Sequence, residues 1–151
     1  MASLFLIALL GVVIAMVIGM VWHMPNVPTG KLHMDYIGFS KLSAAEQEKT
    51  MKAAQPHMWK SFLGQAILSY MSSLFIVVVM YYTTQGGLPS SMVYMYVAMI
   101  WLGFVVPNLG WSIIWWGHDH PAKFLWVYFI AEAIYYLISY MLIAYVFHFF
   151  F

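Results

Sequence analysis

The chain has 151 residues, of which 64% are hydrophobic and 7% are charged, and its formal net charge is +1. A soluble domain carries about 25% charged residues, and a fold of this length cannot hide so much apolar surface from water. The composition therefore excludes a water-soluble globular domain and indicates an integral membrane protein. The near-neutral charge implies no nucleic-acid partner. The absence of cysteine excludes disulfides and thiolate-bound metals.

Four apolar segments are long enough to cross about 30 Å of hydrocarbon as helices. They lie at 3–23, 58–83, 90–116 and 122–148. These segments predict an all-α fold, an integral membrane four-helix bundle that forms a single domain over residues 1–151.

The first segment has features of a helix that packs closely on others. It lacks the positively charged N-terminal region and the small-residue cleavage site of a signal peptide, so we expect a retained span. It carries Gly11, Ala15 and Gly19 at a four-residue spacing, which favours close approach by another helix. The alternative is that these small residues occur by chance on a lipid-facing surface.

The polar connection at 24–57 follows the first span. Pro25, Pro28 and Gly30 end the span there. Ser43 and Glu46 have the spacing of a capping box, which predicts a short amphipathic or surface helix in this loop.

The lysines are confined to one side of the predicted bundle. All six lie on or beside the first and third connections: Lys31, Lys41, Lys49, Lys52, Lys60 and Lys123. Positively charged loops stay in the cytoplasm, so the long first loop is predicted to be cytoplasmic and both termini outside, in a bacterial inner membrane. Five tryptophans near the same side are interpreted as an aromatic interface belt: Trp22, Trp59, Trp115, Trp116 and Trp126.

Glu132 is the single acidic residue inside the predicted spans. Counted inward from the lysine-bearing side, Gln65, Asn108 and Glu132 all lie about 12–15 Å deep, at roughly 1.5 Å per residue. This count predicts a buried polar layer from three helices, to which Tyr135 contributes from the same face as Glu132. Pro107 is predicted to kink the third span and free a backbone carbonyl at a similar depth.

The polar layer has two alternative roles. A charged Glu132 facing lipid costs about 3 kcal/mol or more, so we expect it to be paired, neutralised or hydrated. It is either a protonated carboxyl that donates to Asn108 or Gln65, or a carboxylate in a hydrated cavity. The layer is then a proton, cation or ligand site, or a network that fixes helix packing. Because no base is identified beside Glu132, the sequence leans slightly towards the structural role.

Histidines also concentrate on the lysine-bearing side: His23, His33, His57, His118 and His120. Imidazole binds zinc, copper, iron and nickel, so His118, His120 and His23 are candidate ligands for a metal or haem. We prefer the alternative of capping or interfacial histidines, because His-x-His is common in loops and the chain has no His-Glu-x-x-His motif. The sequence therefore predicts no cofactor and no catalytic residue.

Three segments, "GMVWHMPNVPTGK", "WLGFVVPNLGW" and "KFLWVYFIAEAIYYLISYMLIA", follow one another in the order of a known family. In them the chain resembles the uncharacterised bacterial proteins of domain of unknown function 1761, over nearly its whole length. The positions that match are Trp22, Pro25, Gly30, Lys31, Gly103, Phe104, Pro107, Glu132 and Tyr135. Two departures are an extra residue before Gly30 and a glutamate where the pattern has an uncharged polar residue. The resemblance implies a small four-span membrane protein and carries over no activity.

The sequence leaves two functions open. A small binding or transport-like module would use the polar layer as its pocket, and it would need a homo-oligomer because four short helices do not enclose a wide pore. An accessory or scaffold subunit of a larger membrane complex would instead pack its aromatic and methionine-rich surface on partner helices, membrane lipids or pigments. An enzyme acting on lipid or quinone is disfavoured, because no acid–base pair is evident.

Overall fold

The structure is a computed structural model that describes residues 2–87, 89, 92–117 and 119–150. In chain order its α-helices are α1 (Ala2–Trp22), α2 (Pro28–Tyr36), α3 (Ala44–Ala54), α4 (Met58–Gln85), α5 (Val93–Ile100), α6 (Val106–Trp116) and α7 (Ala122–Phe150). A 3₁₀ turn, Gln55–His57, joins α3 to α4, and a π-helical segment, Trp101–Val105, joins α5 to α6. No strand occurs in this part of the chain.

Four helical stretches are long and apolar enough to cross a membrane. They are Leu4–Trp22, Ala44–Gln85, Val93–Ile113 and Ala122–Phe150. The predicted all-α membrane bundle is therefore confirmed. The predicted start of the third span, residue 90, lies outside the described residues.

Small residues let α1 pack closely on both α4 and α7. A Cβ added to Gly11 would lie 2.7 Å from Ser73 Oγ of α4 and 3.2 Å from Ile143 Cγ1 of α7. A Cβ added to Gly19 would lie 2.9 Å from the Tyr135 hydroxyl of α7. A larger side chain at either position would displace a neighbouring side chain, so the stripe of small residues on α1 is a packing surface.

Two apolar cores lie at opposite ends of the bundle. The larger core, at the end that carries both chain ends, consists of Leu4, Ile7, Ile76, Val77, Met80, Val93, Val97, Ile143, Ala144 and Phe147. The smaller core, at the other end, consists of Ile113, Leu125 and Tyr128. Glu132 is 7% exposed and lies between them along α7.

On the lysine-bearing side of the bundle, α1 ends about 15 Å short of the level at which α7 begins. Gly19 lies against Tyr135, and from that point α1 continues for about 5 Å whereas α7 extends back for about 20 Å, at 1.5 Å per residue. The space beyond the end of α1 is filled by α2, which was not predicted. Its Tyr36 stacks on Tyr128 of α7 with ring centroids 4.1 Å apart.

The turn between α1 and α2 depends on a glycine. A Cβ added to Gly30 would lie 1.8 Å from the carbonyl oxygen of Met24, so no side chain fits at this position. Pro28 begins α2, where its missing N–H is not needed, and the Thr29 hydroxyl donates to the Trp22 carbonyl at the end of α1. These contacts hold α2 directly over the end of α1.

The first loop also contains the predicted surface helix, α3. Ser43 accepts a hydrogen bond from the Glu46 backbone N–H, and the Glu46 carboxylate accepts one from the Ser43 backbone N–H at 2.8 Å. This is the capping box that the sequence predicts. None of the α3 residues is buried.

The third span changes its helical repeat before Pro107. The Val106 N–H donates to the Trp101 carbonyl, which closes a π turn, and Pro107 follows in the first turn of α6. Such π-bulges accompany helix bends, and the kink predicted at Pro107 stays a prediction. The Trp101 indole N–H donates to the Ala133 carbonyl at 2.8 Å, which ties this segment to α7 beside Glu132.

Candidate functional site

A carboxylate and an imidazole meet near the middle of the bundle. Oε1 of Glu132 lies 3.0 Å from Nε2 of His23, the first residue after α1. Because α1 ends at the level of Glu132, a residue just beyond its last turn reaches a carboxylate deep within α7. The partner of Glu132 is thus His23, whereas the sequence suggested Asn108 or Gln65.

The second ring nitrogen of His23 determines which proton arrangements are possible. His23 Nδ1 lies 2.9 Å from the Gly19 carbonyl oxygen, which only accepts, so Nδ1 carries a hydrogen. His23 Nε2 then either donates to a Glu132 carboxylate or accepts from a protonated Glu132. The hydrogen bond to Glu132 raises the pKa of His23 in spite of burial, which lowers it. The position after the C-terminal end of α1 also favours a cation, so the ion pair is the preferred arrangement.

A second histidine reaches the pair from α2. The His33 ring meets the His23 ring edge-on with centroids 4.7 Å apart, and His33 Nδ1 lies 2.8 Å from the Tyr128 hydroxyl. Burial and the neighbouring His23 lower the pKa of His33, which favours its neutral imidazole. One ligand atom each from His23, His33 and Glu132 lie within 4.8 Å of one another. These three residues, here called the His–His–Glu cluster, come from three different elements.

Stacked rings hold α2 against α7. Tyr36 stacks on both Tyr128 and His120, and His120 in turn stacks on Phe124. His120 Nε2 donates to the Tyr36 carbonyl oxygen at 3.0 Å. Because Tyr36 lies one turn from His33 on α2, this stack fixes the position of the His33 ring.

Tyr135 fixes α1 beside the cluster. Its hydroxyl donates to the Ala15 carbonyl at 3.1 Å. Its ring lies edge-on to His23, with centroids 5.5 Å apart, and tilted against Trp22 at 6.2 Å. Tyr135 therefore fixes the position of the end of α1 along the bundle axis, relative to Glu132.

A cavity of about 730 Å³ adjoins the cluster. Its polar lining comes from His23, His33, Gln65, Glu132, Tyr135 and Tyr136. Its apolar lining includes Met16, Met20, Met24, Met58 and Phe62. The cavity thus has one hydrogen-bonding end and long flexible apolar walls.

The structure divides the predicted polar layer. Gln65 borders the cavity together with Glu132, but it is exposed and its Nε2 donates to Ser69 Oγ at 3.4 Å. Asn108 is exposed and lines a different groove, and its Nδ2 donates to the Phe104 carbonyl at 2.6 Å. Glu132, Tyr135 and Gln65 are therefore brought together, and Asn108 is not part of the group.

The candidate metal-binding histidines are also separated. His23 belongs to the His–His–Glu cluster, whereas His120 is engaged with the Tyr36 carbonyl. His118 lies outside the described residues. His33 had been noted among the histidines of this side, but sequence reasoning did not place it in a site.

A family model matches residues 6–148 and is described as a protein of unknown function (DUF1761). The chain belongs to this family. The match includes the whole His–His–Glu cluster, and it confirms the resemblance inferred from the sequence. Comparisons with curated proteins and with solved structures found no match. Conclusions on function therefore depend on the geometry of the site.

Proposed function

We propose that the protein is a membrane-embedded binding module for a small amphipathic molecule. The polar head of that molecule lies against His23 and Glu132, and its apolar part lies among the methionines. The observation that carries the proposal is the cavity of about 730 Å³, which offers both kinds of surface. Ligand cavities commonly measure about 300–1,000 Å³ and combine apolar walls with a few polar groups that orient the ligand.

Exposed apolar residues in the lining of the cavity support entry from the lipid. Met20 of α1 and Phe62 of α4 line it and are 54% and 50% exposed, and Met24 is 43% exposed. These residues belong to two helices of membrane-spanning length or directly follow one, so their apolar side chains face acyl chains. Methionine adapts its shape to different apolar partners, which suits a wall that admits a ligand laterally.

The chemistry at the polar end favours an uncharged head group. The ion pair of His23 and Glu132 offers both a donor and an acceptor but little net charge. No lysine is among the described residues that line the cavity, and the chain contains no arginine. A hydroxyl or carbonyl head fits these partners better than a phosphate, which would need basic residues.

Filling the cavity is expected to block binding. Met16 is half-buried and lines the cavity, so Met16→Trp places an indole where the ligand lies. With a dansyl-labelled fatty alcohol as probe, we expect the affinity of purified protein in detergent to fall at least about tenfold, or 1.4 kcal/mol. The measurement is a fluorescence titration of both proteins.

The matched control is Met99→Trp, which adds the same indole to an exposed position on α5. We expect it to bind the probe as the parent protein does. Equal binding by the Met16 variant, or equal loss in both variants, would contradict the proposal.

Orientation and assembly form part of the same proposal. The six lysines support a cytoplasmic first loop, outward termini and an inner-membrane location. Because the chain contains no cysteine, a single cysteine at exposed Lys49 or at Phe150 gives an unambiguous label. With an impermeant maleimide on intact cells, we expect labelling of the Phe150 variant and none of the Lys49 variant.

The larger apolar core closes the other end of the bundle, so passage across the bilayer would need an association of copies.

A further inference from the structure

We propose that His23, His33 and Glu132 bind one divalent transition-metal ion of the zinc class. The inference stands on the His–His–Glu cluster itself and does not require the amphipathic ligand. Two imidazoles and one carboxylate are a known ligand set for zinc, in which a further position stays open to water or substrate. The adjoining cavity provides that open position here.

The distances suit a shared ion. Ligand atoms around a tetrahedral zinc are about 3.3 Å apart, given metal–ligand bonds of about 2.0–2.1 Å. His23 Nε2 and Glu132 Oε1 are 3.0 Å apart, which matches two ligands of one ion. The three ligand atoms lie within 4.8 Å of one another, so the third ligand atom needs to move by at most about 1.5 Å to reach the tetrahedral separation.

Both histidines have the outer hydrogen bonds that metal ligands usually have. His23 Nδ1 donates to the Gly19 carbonyl, which leaves Nε2 as the nitrogen that points at Glu132. His33 Nδ1 lies 2.8 Å from the Tyr128 hydroxyl, to which it donates when Nε2 is the ligating nitrogen. Such outer partners hold the tautomer and the orientation of a ligating imidazole.

The local charge also favours a cation. Loss of the His23 proton on metal binding leaves the negative charge of Glu132 beside the ion, and the C-terminal end of α1 directs its carbonyl groups towards His23. Imidazole nitrogen favours zinc-class ions over calcium or magnesium, which prefer oxygen ligands. The methionine sulfurs that would favour copper(I) line the cavity, whereas the three clustered ligand atoms are nitrogen and oxygen.

The test uses the full chain, purified with a tag that contains no histidine and stripped of metal with a chelator. Co²⁺ is added as a visible probe of the site, and Zn²⁺ is then added as a competitor. We expect one Co²⁺ per chain with d–d absorption, and we expect Zn²⁺ to displace it. The absence of binding, or binding of several ions with no saturation, would overturn the proposal.

Substitutions of the proposed ligands, and of a residue hydrogen-bonded to one of them, test where the ion binds. Glu132→Gln keeps the shape and hydrogen-bonding capacity of the side chain but weakens it as a ligand, and His33→Ala removes a ligand. We expect each to lower the affinity for Co²⁺ on the order of 100-fold, and Tyr128→Phe to lower it about tenfold. The matched control, His57→Ala, removes an exposed histidine outside the cluster and leaves binding unchanged.

Circular dichroism and gel filtration check that each variant is folded. If Glu132→Gln is folded and binds Co²⁺ as tightly as the parent, the assignment is wrong. If His33→Ala does not fold, the comparison of Tyr128→Phe with the parent decides the result. Unchanged affinity in that variant would then overturn the proposal.

Discussion

Replacing Gly30 by alanine is expected to detach α2 from the end of α1. The new Cβ would lie 1.8 Å from the Met24 carbonyl oxygen, and because that atom is backbone, no side-chain rotation relieves the overlap. We expect the free energy of unfolding in detergent to fall by about 3 kcal/mol. Denaturant titration followed by helical circular dichroism measures the change. His33 would leave the cluster with α2, so cobalt binding would be lost as well.

Gly64→Ala is the control for this prediction. Nothing lies within 4 Å of a Cβ at Gly64, which is inside α4. Alanine is a better helix former than glycine by about 1 kcal/mol, so this variant is expected to be as stable as the parent or slightly more stable. If Gly30→Ala behaved like Gly64→Ala, the docking of α2 over α1 would be wrong.

The pair of His23 and Glu132 is expected to show strong coupling in a double-mutant cycle. Replacing either residue by leucine leaves the other polar group without its partner in an apolar environment, at a cost of about 2 kcal/mol. The double variant removes both groups, so its cost is expected to be at least about 1 kcal/mol below the sum of the single costs. The free energies of unfolding of the four proteins, stripped of metal, provide the measurement. Additive costs would show that the two side chains do not interact.

The coupling is expected to depend on pH with a definite sign. The hydrogen bond to Glu132 raises the pKa of His23 above its usual 6.5, so its stabilisation is complete below pH 6.5 and is lost as pH rises through the raised value. The titration of His33, which faces His23 from α2, changes stability in the opposite direction. Burial lowers its pKa, so its neutral ring costs stability as pH falls below 6.5. With metal removed, and with His33 present in both proteins, the stability difference between the parent and His23→Leu should shrink as pH rises. A constant or growing difference would contradict the ion pair.

The spans were predictable because a long apolar segment has few alternatives in a bilayer. The buried position of Glu132 was predictable for the same reason, since a charge facing lipid is costly. Its partner was not found because all four spans were assumed to begin and end at common levels. In the structure α1 ends at the level of Glu132, about one turn beyond the contact of Gly19 with Tyr135, and this offset from the start of α7 brings His23 to Glu132.

Two local signals for α2 were present in the sequence. Pro28 is favourable at the first position of a helix, and Gly38 adopts φ 75° just beyond its end, a conformation that favours glycine. Pro28 was interpreted only as a helix breaker and Gly38 was not considered, which hid the helix that carries His33. Recognition of α2 would have placed two histidines near one depth.

Asn108 shows a different limit of sequence reasoning. Counting residues along a helix predicts depth, but the direction of a side chain depends on helix rotation. The π-helical segment before α6 adds a residue to one turn, which rotates everything after it by roughly 100°. Nothing in the apolar pattern of this span indicated that change.

The separation of His23 and Glu132 along the chain has a consequence for the order of assembly. These partners are 109 residues apart, and one follows the first span whereas the other lies within the fourth. Membrane helices insert first and associate afterwards, so the cluster cannot form until α7 has entered the bilayer and packed on α1. The Tyr36–Tyr128 stack likewise requires α7, so α2 docks only in the finished bundle. A chain stopped before α7 would therefore insert three spans without a site.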